Sequence, residues 1–584
     1  MRSFSFRLLM LSLFFWNASA LASTHGSAPR QRVDTTNDSQ PQSSNNASQE
    51  AKVRFRSSAI LVQVPVVVVD QNGVPVRSLS KDDFELFEAK KSQKITVFQE
   101  LGSSHSRFAS LPTTPNTFTN ELSGIEKPSG VVVFLIDTVN TPFLDQFYGR
   151  SELIRYLAGN VDSNQGVALA LMDSQGLKML HDVTQDPAEL IQILKKLAGE
   201  LPALQNVDAV SASPAAMRVG NETLAGNAGL YSDLRNFVIK GDVNIAHLQQ
   251  DRASEATMRG LLSISWALAG IPGRKSLVWL TGGFPFYIDS DGAVPGGEMS
   301  TLYERALKAT NDAQISIYPV DVRGLKVTGL DSSQSARHVG SAAIAGRNTR
   351  NWTQVTTFDT LREIAEMTGG RAFYNTNDLT SCFQRASADA AHYYLLGYYL
   401  DATNRNPGWR KLKVKVKRND VEVRARAGYF VTNATINPDL TRNLDMKVAI
   451  NSPFNSTGVP LTVQVNGSSA KADATNAGSP DKRNVDFWVQ IAGEGIAVEP
   501  GAINRLDMEL IAVAFAPNST EPADSVSQNF TMSIPTDQLP QMRQQGVGYH
   551  NKLALSPGQY TVRFVVRDNV SGQVGSVSAP VIVP

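Results

Sequence analysis

One cysteine, Cys382, stands in 584 residues, so no intramolecular disulfide can form and stability must come from packed cores. A lone thiol of this kind reads as a small buried apolar residue rather than a reactive one. Net charge is almost absent too. The 55 Lys and Arg balance 54 Asp and Glu to leave +1, which gives no general attraction to nucleic acid or a charged membrane. Beyond the first residues, no apolar run approaches the roughly 20 residues that a membrane-spanning helix needs. The signatures of common catalysts are missing: no His-Glu-x-x-His, no Gly-x-Ser-x-Gly, no Gly-x-x-x-x-Gly-Lys and no Gly-x-Gly-x-x-Gly. The 7 histidines show no metal-ligand spacing. These gaps remove most hydrolase, zinc-enzyme and nucleotide-binding readings and leave binding as the expected work of the chain.

What is present begins with a leader. Arg2 and Arg7 precede an apolar core, Leu8 to Trp16, and then Ala18-Ser19-Ala20 and Ala20-Leu21-Ala22 offer small-x-small cleavage sites. That order predicts a signal peptide over 1–22 and a mature chain that is exported, periplasmic or secreted. No cysteine follows the core, which excludes a lipoprotein anchor. Residues 23–52 are rich in Ser, Asn, Gln, Thr and Pro and read as a disordered linker, unable to bury enough surface to offset ordering.

Alternating strands follow over 53–102: Val62, Val64 and Val66, then Asp83 to Glu88, then Lys94 to Phe98. A Ser/Thr/Pro/Asn stretch, Ser103 to Asn120, reads as a linker. Over 126–389 the grammar changes. Apolar runs at Val131 to Ile136, Val167 to Met172, Ser276 to Leu280 and Ile315 to Val320 alternate with helical spacing at Ser151 to Ala158, Asp186 to Leu197, Ser300 to Ala313 and Asp359 to Thr368. Continuous apolar strands between helices predict a mostly parallel sheet with helices on both faces. A polar stretch around 206–244 reads as an insertion or lid. Strands return over 390–432, which motivates a β domain shared with 53–102 and interrupted by the α/β block. Short strands from Met446 to Ile450 onward predict a C-terminal β-sandwich over 440–584.

Several stretches together resemble the von Willebrand factor A-related family first described from Acidobacteria: Lys81 to Leu86, Asp137-Thr138-Val139-Asn140-Thr141, Pro272 to Leu277, Tyr318 to Leu325, Thr368 to Phe373 and Tyr393 to Tyr399. The resemblance implies a Rossmann-like von Willebrand factor A domain, with a ligand face at the carboxyl ends of its strands. It also implies a metal there, held by Asp-x-Ser-x-Ser, a threonine and an aspartate after the fourth strand. Oxygen donors of that kind suit Mg²⁺. Here Asp137 and Thr141 keep two positions, whereas Val139 and Gly282 stand where donors are needed. The metal site is therefore expected to be degenerate, with Mg²⁺ bound weakly or not at all. The expected ligand-face residues are Asp137, Asn140, Thr141, Thr257 and Thr281.

Other patterns have two readings each. Lys411, Lys413, Lys415 and Lys417 with Arg424 and Arg426 suit an acidic polysaccharide or lipid headgroup, or serve as a charged outer face that discourages edge pairing. Tyr393, Tyr394, Tyr398 and Tyr399 suit a sugar platform or ordinary strand packing. Asp289 and Asp291 suit Ca²⁺ or an exposed turn. The expected function is a non-enzymatic, adhesion-type protein that recognises a protein or cell-surface partner, without nucleic acid or a membrane span. An enzyme with a lidded site near Asp137, or a structural envelope component, are the alternatives.

Overall fold

In the computed structural model the described residues are 60–102, 115–121, 130–159, 165–173, 176–197, 251–283, 298–325, 358–400, 408–431, 438–466, 482–501 and 503–584. The expected leader and linker (1–52), the 206–244 insertion and the Asp289/Asp291 pair lie outside them. Among the described residues no helix is long and apolar enough to cross a membrane.

The first strand, β1 (Ile60–Asp70), pairs antiparallel with β11 (Tyr393–Leu400) and β13 (Val421–Ala425), and β11 pairs with β4 (Val97–Leu101). A second sheet runs β14-β12-β2-β3, with β14 at Gly428–Val431, β12 at Gly408–Val416, β2 at Phe84–Glu88 and β3 at Lys91–Gln93. Both sheets therefore mix strands from either side of the α/β block. Their facing side chains, among them Val62, Val64, Phe84, Leu86, Tyr394 and Leu396, form one core.

The α/β block is a five-stranded sheet of order β10-β9-β6-β7-β8. Its strands are β6 (Val131–Asp137), β7 (Gly166–Asp173), β8 (Gly176–Thr184), β9 (Lys275–Thr281) and β10 (Ile315–Asp321). All neighbours are parallel except β8, antiparallel to β7 at the edge. Every residue of β6 is buried because both faces are covered. Val131, Val133 and Leu135 face one core, and Val132, Phe134 and Ile136 face the other. Burying each such side chain contributes about 1.5–3 kcal/mol.

Helices α1 (Phe143–Gly159), α2 (Pro187–Leu197) and α6 (Leu379–Ala391) cover the second of these cores through Leu153, Leu190, Phe383 and their neighbours. Helices α3 (251–267), α4 (Glu298–Asp312) and α5 (358–368) cover the first. The sequence expected α1 to begin only at Ser151 and did not anticipate α6. After α5 the chain returns to the sheet edge through a single parallel bridge, Val320 to Phe373.

At the amino end of this sheet the block is tied to the β domain by buried charge. Arg274 Nη2 donates to Tyr318 Oη at 2.8 Å and to the Gly369 carbonyl at 2.7 Å. Tyr318 Oη donates to Asp389 Oδ2 at 2.8 Å, and Arg424 Nη2 on β13 donates to Asp389 Oδ1 at 3.0 Å. The Arg274 amide donates to Tyr393 Oη on β11. Lys275, beside this network, is buried, and its ammonium donates to the Ile271 carbonyl. Burial lowers its pKa to about 7.

Beyond the β domain, the run from Met446 to Ile450 is not a strand. It lies in α7 (Pro438–Asn451). Met446, Val448 and Ile450 mimic a period of two, but the buried positions are Asp445, Met446, Val448 and Ala449, which share one helical face. Asp445 accepts from Arg305 of α4 and from Arg567, joining the α/β block to the C-terminal region. That region has two four-stranded antiparallel sheets around one core. One is β18-β17-β20-β21, with β17 at Asn504–Phe515, β18 at Pro522–Ile534, β20 at Gly558–Asp568 and β21 at Val574–Val583. The other is β19-β16-β15-β5, with β16 at Arg483–Ile491 and β19 at Val547–Leu555, in which β5 (Thr117–Thr119) pairs with β15 (Leu461–Val465). Part of the stretch read as a linker over Ser103 to Asn120 is thus a strand of the C-terminal region. Asn120 fixes it, donating to the Ser456 and Val459 carbonyls and accepting from the Leu461 amide.

Candidate functional site

Strand β6 ends at the carboxyl edge of the sheet with Asp137, which is 1% exposed. The chain turns there because the carboxylate satisfies the next amides: Asp137 Oδ1 accepts from Val139 N and Asn140 N, each at 3.0 Å. That is the local side-chain-to-backbone turn that aspartate favours. Asp137 Oδ2 accepts from Asn140 Nδ2 at 2.8 Å, Trp279 Nε1 at 3.0 Å and Thr281 Oγ1 at 2.9 Å. Five donors therefore converge on two oxygens. Burial raises the pKa of Asp137, and the hydrogen bonds from Asn140, Thr281 and Trp279 oppose that shift.

The remaining residues expected here join the same web. Asn140 Nδ2 also donates to Thr257 Oγ1 on α3 at 3.0 Å, and Thr257 in turn donates to the Ala253 carbonyl. Thr141 Oγ1 accepts from the Gly282 amide at 2.8 Å. The structure brings all five together, but it buries Asp137, Thr141, Thr257 and Thr281 and leaves Asn140 half-buried. Both Asp137 oxygens are occupied by donors from this web.

A divalent cation does not fit this arrangement. Each Asp137 oxygen faces N–H or O–H donors, which present positive ends where a cation would have to sit. Val139 offers no donor atom and packs against the core. At Gly282, a Cβ would come within 2.8 Å of the Asn140 carbonyl oxygen and 2.9 Å of Pro142 Cδ. The 140–142 loop has closed over the place where a carboxylate side chain would project. Among the described residues no group of three or more His, Cys, Asp or Glu is placed to hold a metal. Nor, among the described residues, does a second titratable side chain bond Asp137. The groups on it are an amide, an indole, a hydroxyl and two backbone N–H.

Two neighbouring strand ends are neutralised by different means. Asp173, ending β7, pairs with Lys178 at 2.7 Å. Asp321, ending β10, is gripped by Arg323 through Nε at 2.8 Å and Nη2 at 2.9 Å.

What remains open at this edge is apolar, and the sequence reading missed it. Helix α1 begins with its polarity inverted: Gln146, Arg150 and Glu152 are buried, while Phe143, Leu144 and Phe147 are 42%, 79% and 58% exposed. Leu325, after β10, is 56% exposed. It is adjacent through Asn377, which accepts from the Leu325 amide and whose carbonyl accepts from Tyr148 Oη of α1. Arg150 lies under Phe147, its guanidinium carbon 5.3 Å from the ring centroid, and its buried Nη1 has no hydrogen-bond partner among the described residues. Burial lowers its pKa. A usable signal was the Phe143-Leu144-x-x-Phe147 spacing just after Pro142, which places apolar residues outside the Leu153/Leu157 stripe.

The other expected constellations separate. Tyr393, Tyr394 and Tyr398 are buried, with hydroxyls bonded to Arg274 N, the Val76 carbonyl and Glu88; Tyr399 alone is exposed. No tyrosine platform exists. Cys382 is buried, donates to the Asp378 carbonyl, and burial raises its pKa to about 11.

No family model matches the chain, and no curated protein matches it. Among solved structures 43 chains match. One of them, described as the crystal structure of the SpRpn10 VWA domain, is similar at 12% identity and a TM-score of 0.16, over 36% of this chain and 83% of that chain.

Proposed function

We propose that the chain is an exported interaction protein of the von Willebrand factor A type, which binds a protein partner at the carboxyl edge of its central sheet without a bridging metal. The inverted start of α1 carries this reading. Three large apolar side chains face solvent beside the strand ends while Gln146, Arg150 and Glu152 are buried beneath them. Hiding polar groups and exposing apolar ones costs stability, which is the mark of a surface kept for contact. The Asp137 web holds the loop that sets this helix start, and the buried Arg150 guanidinium lies below it against the Phe147 ring. A partner segment with apolar side chains and a nearby carboxylate suits that surface.

The test is site-specific cross-linking in the producing cell. A photo-reactive residue at Leu144 should yield a discrete adduct that Phe147→Ser abolishes. The same residue at Ile582, exposed elsewhere, should not. Equal labelling at both positions would remove the proposal. Export is tested separately by N-terminal sequencing, expected to begin after Ala20 or Ala22; a retained Met1 would refute it.

A further inference from the structure

Strand β12 exposes Lys411, Lys413 and Lys415 on one face and turns Leu412, Val414 and Val416 toward the β-domain core. β12 is hydrogen-bonded to β14 through Gly408–Lys411 and to β2 through Leu412–Val416, so the row spans both paired segments. Arg424 and Arg426 do not belong to the row, since they bond Asp389 and the Gln63 carbonyl. Among the described residues no carboxylate lies within ion-pair distance of the three lysines; Lys415 sits over the Phe87 ring at 5.4 Å.

The row forms one wall of a groove of about 560 Å³. Trp409 and Met367 line it, and helix α5 supplies the opposite wall with Glu363 and Glu366. Trp409 packs edge-on to Phe430 and lies over Gly428, where a Cβ would come within 2.4 Å of the indole. Glycine there makes room for the ring. The groove thus has a basic wall, an acidic wall and an aromatic surface between them.

We infer that this groove binds an extended acidic peptide segment of a partner protein, with a carboxylate at every second residue. Alternate residues of an extended chain are about 6.8 Å apart, the spacing of the lysines along β12. A period of two also sends all the acids to one side and the uncharged side chains to the other, toward Glu363 and Glu366. A polymer charged on every unit and on all sides, such as a nucleic acid, would press charge against those glutamates. The lysine side chains make the contact, so binding weakens as salt rises. This site lies at the amino end of the central sheet and is independent of the apolar face at its carboxyl end.

The mature full-length chain should be titrated with a fluorescent peptide of alternating Glu and Thr, followed by anisotropy. A control peptide has the same composition with its glutamates in one block. The alternating peptide should bind at least fivefold tighter. The triple variant Lys411→Gln, Lys413→Gln, Lys415→Gln should lose at least tenfold with an unchanged melting temperature, because all three side chains are exposed. Lys417→Gln, beyond the groove, should change affinity less than twofold. Trp409→Phe should remove the change in tryptophan emission on binding. Equal affinity for both peptides, an unaffected triple variant, or tighter binding of an oligouronate or of anionic phospholipid vesicles would overturn the inference.

Discussion

At the carboxyl end of the central sheet a buried aspartate, Asp137, is held by neutral donors; at the amino end another, Asp389, is held by Arg424 and by Tyr318, itself bonded to Arg274. The two differ in what surrounds them. Around Asp137 the loop ends in solvent-facing apolar side chains, whereas around Asp389 everything packs against the β domain. Four of the sequence stretches singled out above meet at the second place: Arg274 is hydrogen-bonded to Tyr318, Gly369 and Tyr393. Those residues describe how one domain is mounted on another and carry no information about a ligand. The function has to be argued from the other end.

The comparison is tested most severely at Asp389. Asp389→Ala leaves the largely covered Arg424 guanidinium without its anion and removes the acceptor of Tyr318 Oη, and losing one partner of a buried ion pair costs about 3–5 kcal/mol. Urea unfolding should show that loss; a loss under about 1 kcal/mol would mean solvent already reaches the junction. Lys275 gives a test by pH at the same end. Its folded pKa of about 7 lies below the ordinary 10.5. Between those values the unfolded chain binds more protons than the native one, so stability rises with pH across that window, at up to about 1.4 kcal/mol per pH unit. Below pH 7 both states hold the proton, and the penalty is constant. Lys275→Met should be more stable at neutral pH and lack that rise. An identical slope in the variant would place the titration elsewhere.

How far these features can be read from sequence depends on how local their causes are. The runs Val131 to Ile136 and Ile315 to Val320 announce buried strands because both faces are covered, leaving no polar alternation to disguise them. Met446 to Ile450 misleads because Asp445, which completes the helical face, is polar and is buried only by Arg305 and Arg567 far along the chain. Helix α6 is hidden for a related reason: its buried face contains Cys382, Ser387 and Asp389. At the candidate site the turn at Asp137 is local and legible. The Trp279 and Thr281 donors that close it come from 142 and 144 positions away. The exposed start of α1 is missed because an apolar residue is ordinarily counted as core.

At the carboxyl end the expected effects are smaller. Asp137→Asn turns one acceptor into a donor facing Trp279 Nε1, Thr281 Oγ1 or the loop amides, a mismatch of about 1–3 kcal/mol by urea unfolding. It should also remove an acid-range slope. Because the folded pKa of Asp137 is raised above 3.8, the native state holds the proton longer. In the window just above 3.8 this group's contribution to stability falls as pH rises. The asparagine variant is flat there, and the sign is opposite to that of Lys275.

The smallest expected effect is on metal binding. Calorimetric titration of Mg²⁺, Mn²⁺ or Ca²⁺ into the mature chain should give no heat beyond dilution, with or without Asp137→Ala. Gly282→Asp should not restore a site, because its Cβ would meet the Asn140 carbonyl at 2.8 Å before a carboxylate could reach Asp137. Micromolar Mg²⁺ binding abolished by Asp137→Ala would require the 138–141 loop to open and Trp279 and Thr281 to give up Oδ2. The carboxyl end would then be a cation site after all, and the contrast between a closed neutral web and a charged junction would no longer hold.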